Sequence, residues 1–252
     1  MKQYKTAIAL VLVGGLLTTA AFLMAFFTAE VQQFGTVSFD APIETVFPPA
    51  PPQLQPAEGV SYVQPWFSQK IFYFHVPVAE ASFLVLLIAA IFSVRFLLKK
   101  RVEDDTKARV AMETSLIFVI LTMITGVLWT KASWGVWWEW EPRLTTYFIM
   151  MLMMIAYFVL RNSVEEEERR ATYAAVFGIL AAVNAPISFM ITRLIPSNHP
   201  VVFQPGMASS NLMPFIVGQV GMLMIGYGIY VARMSEERLT ERIEITKEAL
   251  EG

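Results

Sequence analysis

The sequence predicts an all-α integral membrane protein with six transmembrane helices and both termini in the cytoplasm. Of its 252 residues, 56% are hydrophobic and only 16% are charged, and the mean hydropathy of +0.53 is too high for an ordinary soluble domain. Six apolar segments are long enough to cross a bilayer core of about 30 Å at about 1.5 Å per residue. The basic residues are also distributed very unevenly between the segments that join these spans.

The six predicted spans form a single polytopic membrane domain, residues 1–252. The first, Thr6 to Thr28, contains no charged residue. A cleaved signal peptide is the alternative for this segment, because Lys2 and Lys5 precede it, although the apolar run is longer than the usual core of a signal peptide. The proline of Asn184-Ala-Pro186 is expected to break the fifth span near its outer third. The predicted spans are about 6–28, 72–98, 111–130, 144–160, 171–192 and 212–232.

The distribution of Lys and Arg predicts the orientation. With both termini inside, all but four of the 19 basic residues fall on the cytoplasmic side. This is the bias expected for a multi-pass membrane protein. The four basic residues predicted to lie outside are Lys70, Lys131, Arg143 and Arg193. Both histidines and a tryptophan-rich segment then emerge together on the outer face.

The segments between the spans receive simple predictions. Residues 30–69 are rich in proline and contain no Lys or Arg. This composition predicts an extended outer loop, and we assign no chemistry to it. Residues 131–143 are predicted to form a Trp-rich outer loop, and residues 95–109 a charged cytoplasmic connector. Residues 234–252 predict a short amphipathic tail helix, either a solvated extension or a docking site for a partner. Its apolar face comprises Leu239, Ile243 and Leu250.

Composition narrows the possible chemistry. The chain has no cysteine, which excludes disulfides, zinc–thiolate sites and iron–sulfur clusters. A net charge of -2 does not suggest a nucleic-acid partner. His75 and His199 are the only imidazoles. His75 is predicted at the outer start of the second span, with Pro77 in the first turn of that helix, and His199 lies in the loop after the fifth span.

Five of the six tryptophans lie within 12 residues, Trp129, Trp134, Trp137, Trp138 and Trp140. Trp134, Trp137 and Trp138 stand at i, i+3 and i+4, so on a helix they would share one face and form a single aromatic wall. Indole rings suit the lipid–water boundary and also stack on flat conjugated ligands. Tryptophans of an interfacial belt usually come singly at several helix ends, whereas these are concentrated in one segment.

The end of the Trp-rich segment predicts a helix start. Pro142 lacks the N–H that a helix interior requires, so we expect it to be the first residue of the next helix, with Glu141 as its N-cap. This break makes a helical ion pair between Glu139 and Arg143 doubtful.

Glu80 is the unusual acid of the second span. Five residues after His75, it is expected to face away from that histidine and to lie one to two turns into the bilayer. A carboxylate at this depth is either functional or close enough to the helix end to reach the interface. Both interpretations stay open.

Two outer histidines beside an aromatic platform could bind a metal ion, could ligate haem iron or could be incidental. A zinc site needs three or four protein ligands, which here would require carboxylates such as Glu139 and Glu141. Haem needs only one or two axial ligands, apolar walls and cations near its propionates. Haem therefore fits better, with His75 and His199 as axial ligands. The wall would comprise Trp134, Trp137, Trp138 and Trp140, and the propionates would meet Lys131, Arg143 or Arg193.

The segment from Trp134 to Thr146, WGVWWEWEPRLTT, resembles the "WWD" signature, roughly WGxWWxWDxRLTS, of the haem-handling proteins of cytochrome c biogenesis. It departs from that signature at Glu141, where Asp is usual, and at Thr146, where Ser is usual. Six spans, one histidine on each side of the loop, and the segments His75-Val-Pro77 and Val183-Asn-Ala-Pro-Ile187 resemble the haem exporter protein C family (cytochrome c maturation protein C, CcmC). The resemblance covers about residues 71–232.

This resemblance implies a haem-presenting protein and not an enzyme with turnover chemistry. Such a protein would hold haem b on the outer face of the cytoplasmic membrane and deliver it to a haem chaperone, maturation protein E. It would work beside the ATP-binding cassette transporter subunits, proteins A and B, and a small single-span subunit, protein D. The haem-binding residues that the resemblance implies are those already named together with Glu141. The Trp-rich loop would be the docking surface for haem and chaperone.

Three alternatives to this function remain. A haem-lyase subunit that makes the thioether bond is the closest, but such relatives carry more spans and a further pair of membrane histidines. A b-type electron-transfer cytochrome would also use paired histidines, usually placed within the bilayer on spanning helices. A transporter subunit without haem would explain the spans and leave the tryptophan cluster unexplained.

Overall fold

The computed structural model describes residues 2–29, 70–195, 199 and 209–251. Within these residues the chain forms six helices and no strand: α1 Lys2–Phe27, α2 Phe72–Lys99, α3 Val102–Trp134, α4 Pro142–Ser163, α5 Glu167–Leu194 and α6 Ser209–Glu251. All six are long and apolar enough to cross a membrane, which confirms the predicted fold class. The predicted Pro-rich loop, residues 30–69, and most of the loop that holds His199 lie outside the described residues.

Helices α2 to α5 pack around a shared apolar core. Small residues from α2, α3 and α5 alternate with the large side chains of α4, so the four helices approach closely. The core residues that are completely buried include Leu86 on α2, Met112 on α3, Met150 and Met154 on α4, and Ala181 on α5. In lipid, such packing replaces the hydrophobic effect as the main force between helices.

Helix α1 packs along α6 through a line of small residues. A Cβ atom on Gly14 would lie 2.7 Å from the carbonyl oxygen of Gly221, and one on Gly221 would lie 2.6 Å from Oγ1 of Thr18. Any side chain at these positions would push the two backbones apart. At the end of α1, Lys70 Nζ donates a 2.7 Å hydrogen bond to the carbonyl oxygen of Ala29, which ties this end to the start of α2.

A proline on α2 and a glycine on α6 lie where these two helices pack closely. Pro77 lies in the second turn of α2, not in the first turn as predicted, so the carbonyl of Tyr73 has no N–H partner at the i+4 position. Gly218 on α6 faces this carbonyl: a Cβ there would lie 3.2 Å from the Tyr73 oxygen and 3.6 Å from Cγ of Pro77. The absence of a side chain on Gly218 therefore lets α6 cover the distorted turn.

The helices extend beyond the predicted spans. The predicted charged connector is reduced to Lys100 and Arg101, since α2 runs to Lys99 and α3 begins at Val102. Lys100 ends α2 in the left-handed conformation, with φ of 51°, and its N–H donates to the carbonyl of Phe96. The predicted tail, residues 234–252, is not a separate short helix, because α6 continues through it to Glu251.

The expected break at Asn184-Ala-Pro186 was wrong, because α5 continues through Pro186 to Leu194. The Asn184 amide donates a 2.7 Å hydrogen bond to the carbonyl oxygen of Thr146 on α4. This bond holds the two helices together two residues before the proline. The carbonyl that a helical proline frees is tolerated where protein covers it.

The antiparallel order of α2 to α5 brings four helix ends together. The starts of α2 and α4 lie beside the ends of α3 and α5, and the Trp-rich segment joins α3 to α4 at this same end. The charged residues of the α2–α3 and α4–α5 connections lie at the opposite end of these helices.

We expect Gly14→Leu to destabilise the α1–α6 pair, because the new side chain meets a backbone oxygen. Overpacking of this kind costs about 1–3 kcal/mol. Gly15→Leu is the matched control, since nothing lies within 4 Å of a Cβ at that position. The midpoint of thermal unfolding in detergent should fall for Gly14→Leu only. Equal midpoints for the two variants would contradict the close approach.

Candidate functional site

A cavity opens where the four helix ends meet. Together with its open mouth it contains about 730 Å³ of empty space. Most of its wall is apolar, with Phe83, Trp129, Trp138 and Phe189 as the large rings. Its polar side chains are His75, Glu80, Thr122, Thr130, Arg143, Tyr147 and His199. The two histidines of the chain, 124 positions apart in the sequence, therefore share one cavity.

The first turn of α2 positions His75. Its backbone N–H donates to the carbonyl of Ile71, and Nδ1 lies 2.8 Å from Oγ1 of Thr125 on α3. The ring also lies against Gly126, where a Cβ would come within 3.2 Å of Cε1. Nδ1 thus has a protein partner, whereas Nε2 makes no hydrogen bond within the described residues and is the nitrogen available to a ligand in the cavity.

The second histidine is held by a cation and an indole. Nδ1 of His199 lies 3.4 Å from Nη1 of Arg143, and its ring centroid lies 6.1 Å from that of Trp129. Arg143 also lies over the ring of Phe189, 5.6 Å from the centroid. Since a guanidinium can only donate, Nδ1 of His199 accepts in this contact. The arrangement puts a positive charge beside an imidazole inside the same cavity.

The tryptophans do not form the single wall that their spacing predicted. Helix α3 ends at Trp134, and Gly135 follows in the left-handed conformation with φ of 78°, so the three rings cannot share a helical face. Trp134 is buried against Trp129, with ring centroids 5.2 Å apart. Trp138 lines the cavity, whereas Trp137 and Trp140 are 59% and 70% exposed.

Trp138 lines the cavity and carries an unsatisfied hydrogen-bond donor. Its Nε1 is buried and has no hydrogen-bond partner among the residues that the structure describes. Its ring packs edge-on against Trp140 and Phe148, with centroids 5.4 and 5.6 Å away. A buried indole N–H normally finds an acceptor, so an anionic or carbonyl group of a ligand would satisfy it.

The predicted start of α4 is confirmed. Pro142 is its first residue, and the carboxylate of Glu141 accepts a 2.5 Å hydrogen bond from the backbone N–H of Leu144. Glu141 is 5% exposed and does not line the cavity. It acts on the site by fixing the first turn of the helix that carries Arg143.

Lys131 lies outside the cavity. Its Nζ donates a 2.8 Å hydrogen bond to the carbonyl of Gly135 and lies 5.5 Å from the ring centroid of Trp137. It therefore caps the end of α3 and shapes the Trp-rich loop. The side chain of Arg193, the third cation that the sequence indicated, lies outside the described part of the structure.

The expectation that Glu80 faces away from His75 was wrong, because both residues line the same cavity. Its Oε1 is buried and has no hydrogen-bond partner within the described residues. Helical side chains lean toward the N-terminus, which is the direction of the turn that holds His75. A helical wheel gives only the angle of each residue around the helix axis. It does not show how far a long side chain extends along that axis.

Of the residues that the sequence indicated, the structure brings His75, His199, Trp138 and Arg143 into the cavity. It leaves Trp134, Trp137, Trp140, Glu141 and Lys131 outside. The sequence analysis missed Phe83 on α2, Tyr147 on α4 and Phe189 on α5, and it missed a larger group on α3. In that group Thr122, Gly126, Trp129 and Thr130 line the cavity, with Thr125 behind His75. Their spacing of three and four is a helical stripe, and this was the signal available in the sequence.

The donor set fits haem better than a metal ion alone. Among the residues that the structure describes, no three His, Cys, Asp or Glu side chains come together as metal ligands. Two imidazoles, apolar walls, the Arg143 guanidinium and the free Trp138 N–H match the needs of a flat iron-containing ring with two carboxylates.

Known proteins match most of the chain. The family described as "Heme exporter protein C" matches residues 60–249. A relative of that name from Bradyrhizobium diazoefficiens is 31% identical over 179 residues, 69% of this chain and 68% of its own length. Another, from Haemophilus influenzae, is 27% identical over 180 residues, 69% and 73% of the two chains. A "Putative cytochrome c biosynthesis ccmC-like mitochondrial protein" of Marchantia polymorpha is 39% identical over 80 residues, 32% and 35%.

Within the described residues, six membrane-length helices and a cavity lined by both histidines define the class of this molecule, a multi-pass membrane protein with a cavity at one end of its helix bundle. The extent of the match identifies the family. The chain belongs to the heme exporter protein C family.

We expect Glu141→Ala to loosen the first turn of α4, because the N–H of Leu144 loses its acceptor. Loss of an N-cap costs about 0.5–2 kcal/mol. Hydrogen exchange at the amide of Leu144 should become faster, and Glu141→Asp should restore the protection. Glu139→Ala removes a nearby acid that does not cap the helix and is the matched control. Unchanged exchange in Glu141→Ala would contradict the cap.

Proposed function

We propose that this protein binds haem in the cavity, with His75 and His199 as axial ligands of the iron, and passes it on during the maturation of c-type cytochromes. The observation that carries the proposal is that the only two imidazoles of the chain line one cavity. Membership of the heme exporter protein C family supports haem as the cargo. The proposal takes the cargo to be haem b, which has no covalent bond to the protein.

The residues of the chain have separate tasks in this proposal. Nε2 of His75 and Nδ1 of His199 bind the iron from opposite faces, and neutral imidazole is a common iron ligand. Iron then takes the lone pair that Arg143 contacts in the protein without haem. The rings of Phe83, Trp129 and Phe189 exclude water from the macrocycle. Arg143 and the N–H of Trp138 bind the propionates, because a guanidinium and a buried indole donor both complement carboxylate oxygens.

The location of the cavity supports release to a partner outside. The Lys and Arg residues at the ends of α2 to α5 are concentrated away from the cavity. By the positive-inside rule, the cavity then faces the outer side of the cytoplasmic membrane. Trp137 and Trp140 are exposed beside it. We propose that a haem chaperone, maturation protein E, docks there, with the transporter subunits A, B and D as further partners in the bilayer.

Haem handling without turnover chemistry also follows from this arrangement. Two axial imidazoles occupy both open coordination positions of the iron. The cavity would therefore hold haem in a stable state until a partner takes it.

The haem-lyase interpretation makes a different prediction. A lyase would form the thioether bond on an apocytochrome by itself, whereas a presenting protein loads only its chaperone. Incubation of the purified, haem-loaded protein with either acceptor separates the two functions.

We expect His75→Ala and His199→Ala each to lose bis-imidazole ligation, because each removes one axial bond. Absorption spectra of the detergent-purified protein, oxidised and dithionite-reduced, should show an altered or missing Soret band in both variants. Added imidazole should restore the spectrum in part, and membrane insertion should be unchanged. Wild-type spectra and normal chaperone loading in both variants would exclude the ligand assignment.

We expect Arg143→Gln to weaken haem binding by about ten- to a hundredfold. A hydrogen bond to a charged group contributes about 1.5–3 kcal/mol, and the substitution also removes the contact to His199. Lys131→Gln is the matched control, because Lys131 is a cation of the same loop that lies outside the cavity. Haem titration measures both affinities. Equal losses in the two variants would show that the loop acts through its net charge alone.

A further inference from the structure

We infer that Thr125 and Gly126, two neighbours on α3, form a seat for His75 that selects the tautomer and orientation of its imidazole. In this seat Nδ1 carries the proton and Nε2 presents its lone pair to the cavity. The inference rests on the proposed function for the identity of the ligand, haem iron. The seat itself is a property of the protein without haem.

The direction of one hydrogen bond carries the first step. Oγ1 of Thr125 lies 2.8 Å from the carbonyl oxygen of Leu121, 3.1 Å from that of Thr122 and 2.8 Å from Nδ1 of His75. A hydroxyl has a single proton, and a carbonyl oxygen can only accept. When Thr125 donates to the carbonyl one turn earlier, its oxygen accepts from His75. Nδ1 is then the protonated nitrogen, and the lone pair of the neutral ring is on Nε2.

Gly126 provides the space for this bond. A Cβ there would lie 3.2 Å from Cε1 of His75 and 4.0 Å from each ring nitrogen. A contact of 3.2 Å is tight, so a larger residue would displace the ring from Thr125. The hydroxyl of Thr125 thus holds the imidazole by a hydrogen bond. The absence of a side chain on Gly126 leaves room for the same ring.

A fixed tautomer has a direct consequence for iron binding. An imidazole binds a metal through its unprotonated nitrogen, and the partner of the other nitrogen sets the direction of the lone pair. Without Thr125 the ring could carry its proton on Nε2, which cannot ligate iron in that form. Thr125 and Gly126 are therefore positioning residues, which act on the iron only through His75.

The first test uses the protein without haem at neutral pH. Histidine labelled with 15N gives signals from only two residues, and His199→Gln assigns them. In the wild type we expect His75 to have a protonated Nδ1 and an unprotonated Nε2, and Thr125→Ser to preserve this state. Thr125→Val should shift the population toward the other tautomer. An unprotonated Nδ1 in the wild type, or an unchanged tautomer in Thr125→Val, would overturn the inference.

The second test measures haem binding by titration and the iron–imidazole stretching frequency by resonance Raman. Loss of a partner of this kind typically reduces metal affinity about ten- to a hundredfold, and we expect this range for Thr125→Val and Gly126→Ala, with an altered frequency. Thr125→Ser should remain close to the wild type. Thr114→Val is the matched control, because Thr114 makes the same bond to the carbonyl four residues earlier, away from the cavity.

The outcomes separate this inference from the proposed function. A normal haem spectrum in His75→Ala would exclude His75 as a ligand, and the tautomer measurement would still decide whether the seat exists. A lost spectrum in His75→Ala together with wild-type affinity and frequency in Thr125→Val would leave the ligand assignment intact and overturn the role of Thr125.

Discussion

The antiparallel packing of α2 against α3 is the constraint on which the site depends. The two-residue connection at Lys100 and Arg101 sends α3 back along α2, so the first turn of one helix lies beside the last turns of the other. His75 then reaches Thr125 and Gly126. Helices α4 and α5 are also antiparallel to each other. The start of α4 and the end of α5 therefore lie at the same end of the bundle. Helices α2 and α3 contribute most of the cavity lining, α4 and α5 contribute less, and no helix forms the site alone.

Charge pairs secure the end of the bundle opposite the cavity. Arg161 at the end of α4 binds both carboxylate oxygens of Asp105 at the start of α3, at 2.7 and 2.9 Å. Arg109 on α3 bonds to Glu237 on α6, and Arg233 on α6 bonds to Glu113 on α3. Removal of one partner from such a partly buried pair leaves an uncompensated charge, so these pairs favour one register of the helices. The register set at this end determines which residues meet at the cavity end.

The sequence was sufficient for the six helices and for the start of α4, because both depend on local chemistry. Apolar length predicts a span, and the pair Glu141-Pro142 predicts a helix start. The cavity was predictable only in part. The i, i+3, i+4 spacing of the tryptophans failed because Gly135 ends α3 directly after Trp134. Pro186 did not break α5, and the bond from Asn184 to α4 holds the preceding turn in place. The glycine at the end of α3 was a local signal in the sequence, whereas the contact of Asn184 is tertiary and a single sequence does not contain it.

The tryptophans of the Trp-rich segment lie in several different environments. Trp134 packs on Trp129 under the end of α3, where it stabilises the helix that positions His75. Trp138 lines the cavity, and its N–H has no partner in the described part of the chain. Trp137 and Trp140 remain exposed, as do many apolar side chains along the membrane-length helices. An exposed pair of indoles at a membrane boundary suits contact with lipid headgroups or with another protein. Buried and exposed tryptophan rings thus follow one another within seven residues. The loop therefore reaches from the cavity to the surface of the protein.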